Sequence, residues 1–281
     1  MFDSRAIGAV DTGTTPLARR RMPLGTPVVL MYHYFGEAPG ADPEKLFVTE
    51  QALAAQLDYL RRRGWQALSL DGYLAALAGK PTPRRSYLFT IDDGHESVAR
   101  IAPVLAAAGV PSVLFVCPGL LGDRARWAEA YPNERLLSAE QLQNLISSGM
   151  EIGVHGWDHT RMSGMDEGTL RRHVTDARSA VEAATAVPAR SFAYPYGTHD
   201  AAARRAVGEA GYATAFAVAR ENGRFAVDRV FVQSTDSLLT FRLKLSLGYR
   251  LLSRLGGRSW RLRHAVRPVV AHLRNSIQRG V

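Results

Sequence analysis

The sequence holds a single cysteine, Cys117, so no disulfide can form within the chain. With 281 residues and 46% apolar content it needs none, because a chain of that size buries a core large enough to fold without covalent staples. Sparse thiol also fits a reducing compartment. Long apolar runs are missing as well. No stretch can span a bilayer, and residues 1–26 lack the apolar centre of a secretory signal. These absences point to a cytoplasmic protein, peripheral at the inner face of the membrane if it meets one.

Acidic residues are missing from the C-terminal end. After Asp236 there are none, while ten cations follow: Arg242, Lys244, Arg250, Arg254, Arg258, Arg261, Arg263, Arg267, Arg274 and Arg279. The net charge of +9 therefore belongs to that segment, and residues 1–236 carry −1. Leu243, Leu247, Leu251 and Leu255 recur every four residues, and Leu262, Val266, Val269, Val270, Leu273 and Ile277 form a second stripe. Arg-rich amphipathic helices of this kind suit an anionic membrane surface. They equally suit packing on the protein's own body with the Arg heads in water. No nucleic-acid recognition motif accompanies the charge, so nucleic acid is not an expected partner.

What is present is an alternation of strand and helix patterns. Short β-type runs fall at 28–32, 67–70, 87–91, 112–116, 151–154, 191–194, 213–217 and 229–232. Helical periodicity falls between them at 49–63, 71–78, 96–108, 138–148, 166–184 and 200–210. Alternating units imply parallel strands joined by helical crossovers. The expected class is α/β, a deformed (β/α) barrel of seven or eight parallel strands with a basic helical C-terminal tail. An open doubly wound sheet is the competitor. The expected boundaries are a flexible segment at 1–26, the barrel at 27–236 and the amphipathic tail at 237–281.

Two adjacent carboxylates, Asp92 and Asp93, follow the apolar run Tyr87-Leu88-Phe89 and precede Gly94. Like charges that close repel, and a metal ion neutralises one while the other works as a base. His155 and His159 are four residues apart. One carboxylate and two imidazoles make a three-point metal site with an open face. The pair lacks the Glu that follows the first His in zinc-protease helices. Alone, each signal has a plain reading: Asp-Asp-Gly as a turn, His33 as a core histidine, Tyr194-Pro195-Tyr196-Gly197 as a rigid loop. Together, His33, Asp92, Asp93, His155 and Tyr196 all sit at or just past the C-terminal ends of expected strands. That is the active-site face of a parallel barrel.

In this order the motifs resemble the NodB-type polysaccharide deacetylases, the fourth carbohydrate esterase family. Thr90-Ile91-Asp92-Asp93-Gly94 is similar to the family's T-F-D-D-G, His155–His159 to its H-[S/T]-x-x-H, and Phe192–Gly197 to its motif ending in P-Y-G. Leu30-Met31-Tyr32-His33 resembles the N-terminal Y-H motif of the circularly permuted branch, which includes poly-N-acetylglucosamine deacetylases. The resemblance covers about residues 27–232. It implies a divalent metal, commonly zinc, held by Asp93, His155 and His159, with a metal-bound water as nucleophile. Asp92 would be the general base and His33 the general acid. Tyr196, with Pro195 and Gly197, would serve the oxyanion and substrate. Two positions depart from the pattern: Gly156 stands where Ser or Thr is usual, and Ala193 where many members carry an Arg that orients the base. Arg229, near the last strand, is expected to take over that task.

The implied reaction removes an N-acetyl group from an amino sugar or glycan, lipid-linked or polymeric. A deformylase or another non-peptide amidohydrolase would use the same barrel. A non-catalytic membrane- or carbohydrate-binding protein, and an iron oxygenase using the same ligand set, are the readings from other classes.

Overall fold

Period-two alternation along the strands decides which side chains fill the barrel and which face the helices. The computed structural model describes residues 27–218 and 223–250. The expected segment 1–26 and most of the tail, 251–281 with its second apolar stripe, lie outside the described residues. Strand β1 (Val28–Tyr32) leads into a short pair, β2 (Tyr34–Phe35) and β3 (Phe47–Val48). Then follow α1 (Glu50–Arg62), β4 (Gln66–Leu68), α2 (Leu70–Leu77), β5 (Ser86–Ile91), α3 (Val98–Ala107), β6 (Ser112–Val116), α4 (Ala139–Ser147) and β7 (Glu151–Val154). Helices α5 (Glu167–Arg171) and α6 (Ala177–Thr185) are joined through a π-helical stretch at Arg172–Asp176. The described chain ends with β8 (Ser191–Ala193), α7 (Ala201–Glu209), β9 (Thr214–Ala217), β10 (Val227–Asp228), β11 (Val230–Phe231) and α8 (Leu238–Leu245).

The main sheet runs β10-β9-β8-β7-β6-β5-β1-β11, every pairing parallel, with β4 alongside the start of β5. Its two ends, β10 and β11, are separated by one residue, Arg229. Val227 and Asp228 pair with β9, while Val230 and Phe231 pair with β1. One kinked strand thus brings the eight-stranded ring nearly to closure, and the open doubly wound alternative falls. The expected single strand at 229–232 is corrected to these two pieces, because residue 229 leaves the ladder where the strand changes partner.

Leu30, Tyr32, Phe89, Ile91, Leu114 and Val116 face the helices in one buried cluster. The intervening Val29, Leu88, Val113 and Phe115 face inward with Phe216 and Val227. Leu70 and Tyr73 of α2 join the inward cluster and plug the end where the strands begin. Each such side chain contributes about 1.5–3 kcal/mol on leaving water, so both faces drive the sheet to curl and cover itself. The helices begin where the sequence signals them. Thr49, Ser69, Ser138, Asp166 and Asp200 each accept a hydrogen bond from the backbone N–H three residues on.

Helix α8 packs on the barrel through Phe241 and Leu245, with the Phe241 ring 6.3 Å from Tyr59 of α1. Lys244, one of the ten C-terminal cations, is buried rather than solvated. It donates to the Phe231 carbonyl at 2.8 Å and to Asp236 at 2.5 Å. The opposite face is apolar too: Leu239 and Leu243, with Leu247 just past the helix end, are 44–48% exposed.

Candidate active site and metal centre

The strand ends converge on one mouth. β5 ends at Ile91 and delivers Asp92 and Asp93; β7 ends at Val154 and delivers His155; β1 ends at Tyr32 and delivers His33. Tyr32 and Ile91 are register partners, and the Asp92 N–H donates to the Tyr32 carbonyl at 2.9 Å. His33 and Asp92 therefore leave adjacent strands at the same level. Asp93 (φ 75°), His159 (φ 67°) and Tyr196 (φ 57°) all adopt the left-handed conformation that side chains resist. Strain gathered at one mouth is what a functional site shows when the surrounding fold imposes it. Gly94 (φ 74°) is required on both counts, since a Cβ there would lie 2.9 Å from Val116.

Asp93, His155 and His159 bring one ligand atom each to within 4.8 Å of one another, and all three are buried. Asp93 Oδ1 lies 3.5 Å from His155 Nε2 and 3.3 Å from His159 Nε2. His155 Nδ1 faces the Ala193 carbonyl at 2.8 Å. A carbonyl only accepts, so Nδ1 carries the proton and the Nε2 lone pair points at the cluster. Asp93 Oδ1 is a buried oxygen with no hydrogen-bond donor. A lone oxygen facing two imidazole nitrogens is costly unless a cation sits among them, so these residues fit a divalent metal. The three were expected to meet, and they do.

Asp92 is held from the other side. Both oxygens accept from Arg229, Nη1 to Oδ1 and Nη2 to Oδ2, each at 2.6 Å. The same Nη1 reaches Thr90 Oγ1 at 3.3 Å, and the Thr90 hydroxyl donates to the Leu30 carbonyl at 2.7 Å. The Arg229 side chain is fully buried, so its guanidinium meets Asp92 rather than a ligand in the mouth. It comes from the seam between β10 and β11, while Ala193 uses only its carbonyl here, on His155. The free Asp92 edge faces His155 Nε2 at 3.9 Å.

The electrostatics follow from this packing. Burial works to raise the pKa of Asp92, but Arg229 and then His155 outweigh it and hold the carboxyl below its ordinary value. Burial opposes ionisation of Asp93 too, yet the two histidines, His159 foremost by charge, hold it well below the usual range. Burial tends to lower His155, but Asp92 and Asp93 prevail and raise it. His159 and His33 are both lowered by burial, with Asp93 pulling the other way. That pull on His33, joined by Asp92, places it within reach of the site's field.

The Pro195–Gly197 turn follows β8 and borders the Asp93, His155 and His159 cluster, the Tyr196 ring lying 4.5 Å from His159 and 42% exposed. Gly197 (φ 65°) has no room for a side chain, as a Cβ would sit 2.5 Å from Val218. Three further residues went unread in the sequence. The buried Tyr34 lies beside Asp93, whose charge, after burial, raises its pKa. Trp127 stacks on His159 at 4.2 Å. The Trp157 N–H donates to His173 Nδ1 at 3.1 Å. Only Tyr34 carried a signal, its place beside His33.

The match to known proteins follows the same residues. The family model for polysaccharide deacetylase matches residues 79–215, a stretch that includes Asp92, Asp93, His155, His159 and Tyr196. The chain is similar to the polysaccharide deacetylases. It is 23% identical over 211 residues to YxkH of Bacillus subtilis, a protein named for polysaccharide deacetylation, covering 73% of this chain and 70% of that one. It is 33% identical over 99 residues to the poly-beta-1,6-N-acetyl-D-glucosamine N-deacetylase of Escherichia coli K12, 34% of this chain but only 15% of that enzyme. Among solved structures, IcaB from Ammonifex degensii shares 25% identity at a TM-score of 0.66, covering 79% of this chain and 97% of its own. The Streptococcus pyogenes deacetylase PplD, solved with acetate, reaches a TM-score of 0.67 at 17% identity, over 78% of this chain and 98% of its own, a likeness of fold. The two solved structures share the fold of this barrel.

Proposed function

We propose that this protein is a divalent-metal-dependent hydrolase that removes the acetyl group from an N-acetylated amino sugar in a glycan. The observation that supports it best is the buried Asp93, His155 and His159 cluster with the Arg229-clamped Asp92 beside it. Asp93, His155 and His159 would hold the metal, and two imidazoles with one carboxylate suit zinc. A cation there supplies charge to polarise the acetyl carbonyl and acidify water.

The chain's own groups do the rest. Asp92, ionised and aimed by Arg229, takes the proton from the attacking water. The Tyr196 backbone N–H, in the Pro195–Gly197 turn, faces the developing oxyanion. As the C–N bond breaks, His33 gives a proton to the leaving nitrogen; burial holds its pKa below the ordinary value, which makes it a ready donor, and Asp93 and Asp92 only partly offset that. Acetate and a free amine result.

The test is an assay of amine and carboxylate release from N-acetylated sugars of increasing length, using metal-loaded protein. Acetate with one amine per turnover is the expected result. Formate from N-formyl sugars with no acetate would make it a deformylase. The full-length chain is also expected to meet an anionic membrane. The exposed Leu239 and Leu243 of α8, Leu247 just past its end, and the run of cations after Asp236 support that partner.

A further inference from the structure

His159 has to meet Asp93 from a strained backbone, at φ 67°, in a loop that begins with Gly156 at φ 72°. Such a conformation is disfavoured at a residue with a Cβ and persists only when neighbours fix it. The loop between the two imidazoles is fixed at Trp157. Its carbonyl accepts from the Gly119 N–H at 2.9 Å. Its own N–H donates to His173 Nδ1 at 3.1 Å. Asp158 then turns the chain, accepting from the Thr160 N–H at 3.2 Å and hydroxyl at 2.7 Å.

His173 reaches this loop from the π-helical stretch between α5 and α6, and it is 3% exposed. Interruptions of this kind recur at functional sites. Because Nδ1 accepts from a backbone N–H, the ring proton sits on Nε2, which faces Asp158 Oδ1 at 3.8 Å. Burial lowers the pKa of His173 and keeps that lone pair available. Glycine at 156 is the other half of the arrangement. A Cβ there would come within 3.3 Å of His173 Nδ1 and 3.2 Å of Pro195, so the imidazole occupies space that a side chain at 156 would claim.

We propose that His173 is the positioning residue of the metal site, acting through the Trp157 N–H to hold the 156–160 loop so that His159 faces Asp93. Its polar partners are the Trp157 N–H and Asp158, not Asp93, His155 or His159. The inference rests on the reading of Asp93, His155 and His159 as the metal holders. Outer partners of ligand residues typically set metal affinity by about 10–100-fold.

The test compares His173→Leu, which keeps bulk but loses the acceptor, with His173→Asn, whose Oδ1 can take the place of Nδ1. His173→Ala serves as a second acceptor-free variant should the leucine protein fail to fold. Zinc affinity is measured by competition with a chelator on folded full-length protein, and amide exchange is followed by mass spectrometry over 155–160. The acceptor-free variants should bind zinc about ten-fold or more weakly and exchange faster in that loop, while His173→Asn stays near wild type in both. Wild-type affinity and exchange in an acceptor-free variant would overturn the proposal, as would equal losses in all variants. If wild-type protein binds no zinc, the ligand reading fails, and so does the metal-positioning role; loop exchange still decides whether His173 holds Trp157.

Discussion

Replacing Arg229 with methionine removes both donors from a buried carboxylate while leaving similar bulk. In the native protein Asp92 receives two guanidinium bonds of 2.6 Å, and the paired side chains are 0% and 3% exposed. Removing one member of such a pair strands the other charge and costs about 3–5 kcal/mol. Asp92→Asn alone should also be costly, because it leaves the Arg229 cation buried against a neutral amide. The double variant Arg229→Met with Asp92→Asn strands neither charge, so its loss should fall short of the sum by about 0.5–3 kcal/mol. The assay is denaturant unfolding of metal-free protein, all four proteins at one pH. A second readout is the sign of the pH dependence. In the wild type the pKa of Asp92 is depressed, so its stabilisation is fully present above the ordinary carboxylate value of about 3.9. It is lost as pH falls through the lower folded value. In Arg229→Met the guanidinium no longer opposes burial, the folded pKa rises, and Asp92 should bind a proton on folding. The Asp92 contribution then strengthens as pH falls from neutrality. Additive losses within 0.5 kcal/mol, or an unchanged pH trend in Arg229→Met, would refute the clamp.

Asp92→Asn should retain its metal by elemental analysis and lose about 10²–10⁴-fold in kcat, as expected when a general base is removed; near-normal turnover would take Asp92 out of that role. Zinc affinity should weaken on acidification beginning above the ordinary histidine value of about 6.5, because His155 is raised and must lose its proton to bind; a titration with no change until well below that pH would contradict it. Gly197→Ala should lower the melting temperature, with a cost of about 1–3 kcal/mol from overpacking alone, since its Cβ would press on Val218 at 2.5 Å. Leu239→Gln with Leu243→Gln, in the full chain, should reduce co-sedimentation with phosphatidylserine vesicles at low salt and leave folding intact; wild-type-like sedimentation of the variant would remove α8 from any membrane contact.

The local elements were legible because each rests on information a few residues long. Strands at 112–116 and 151–154 are read at their observed limits, since each is a short, mostly apolar run that follows closely on the glycine ending a helix, Gly109 or Gly149. Capping residues such as Thr49 and Ser138 announce their helices by the bonds they will make. The cluster of Asp93, His155 and His159 was legible for a related reason: all three sit within short motifs whose strand-end setting is itself a sequence property. The two-residue strands β2 and β3 were not, because they are too short to carry a period. The π stretch was hidden too, as its buried His173 and Val174 also fit an ordinary helical face.

What only the tertiary structure decided is which distant residues meet. Nothing in the order of residues says that a strand at 227–231 changes partner at Arg229, and the clamp of its guanidinium on a carboxylate 137 positions away is expected only through the family resemblance. That follows from closing the ring, which forces one residue out of the ladder and into the barrel. His173 reads from sequence as one buried position on a helix; only the packing of that helix against the 156–160 loop makes its ring nitrogen an acceptor for Trp157. Sequence thus determined the strands, the helices and which polar residues stand at the strand ends, through short-range hydrogen bonding and the period of burial. The fold decided the partners, because contacts across a barrel are set by how sheets close and helices pack rather than by distance along the chain.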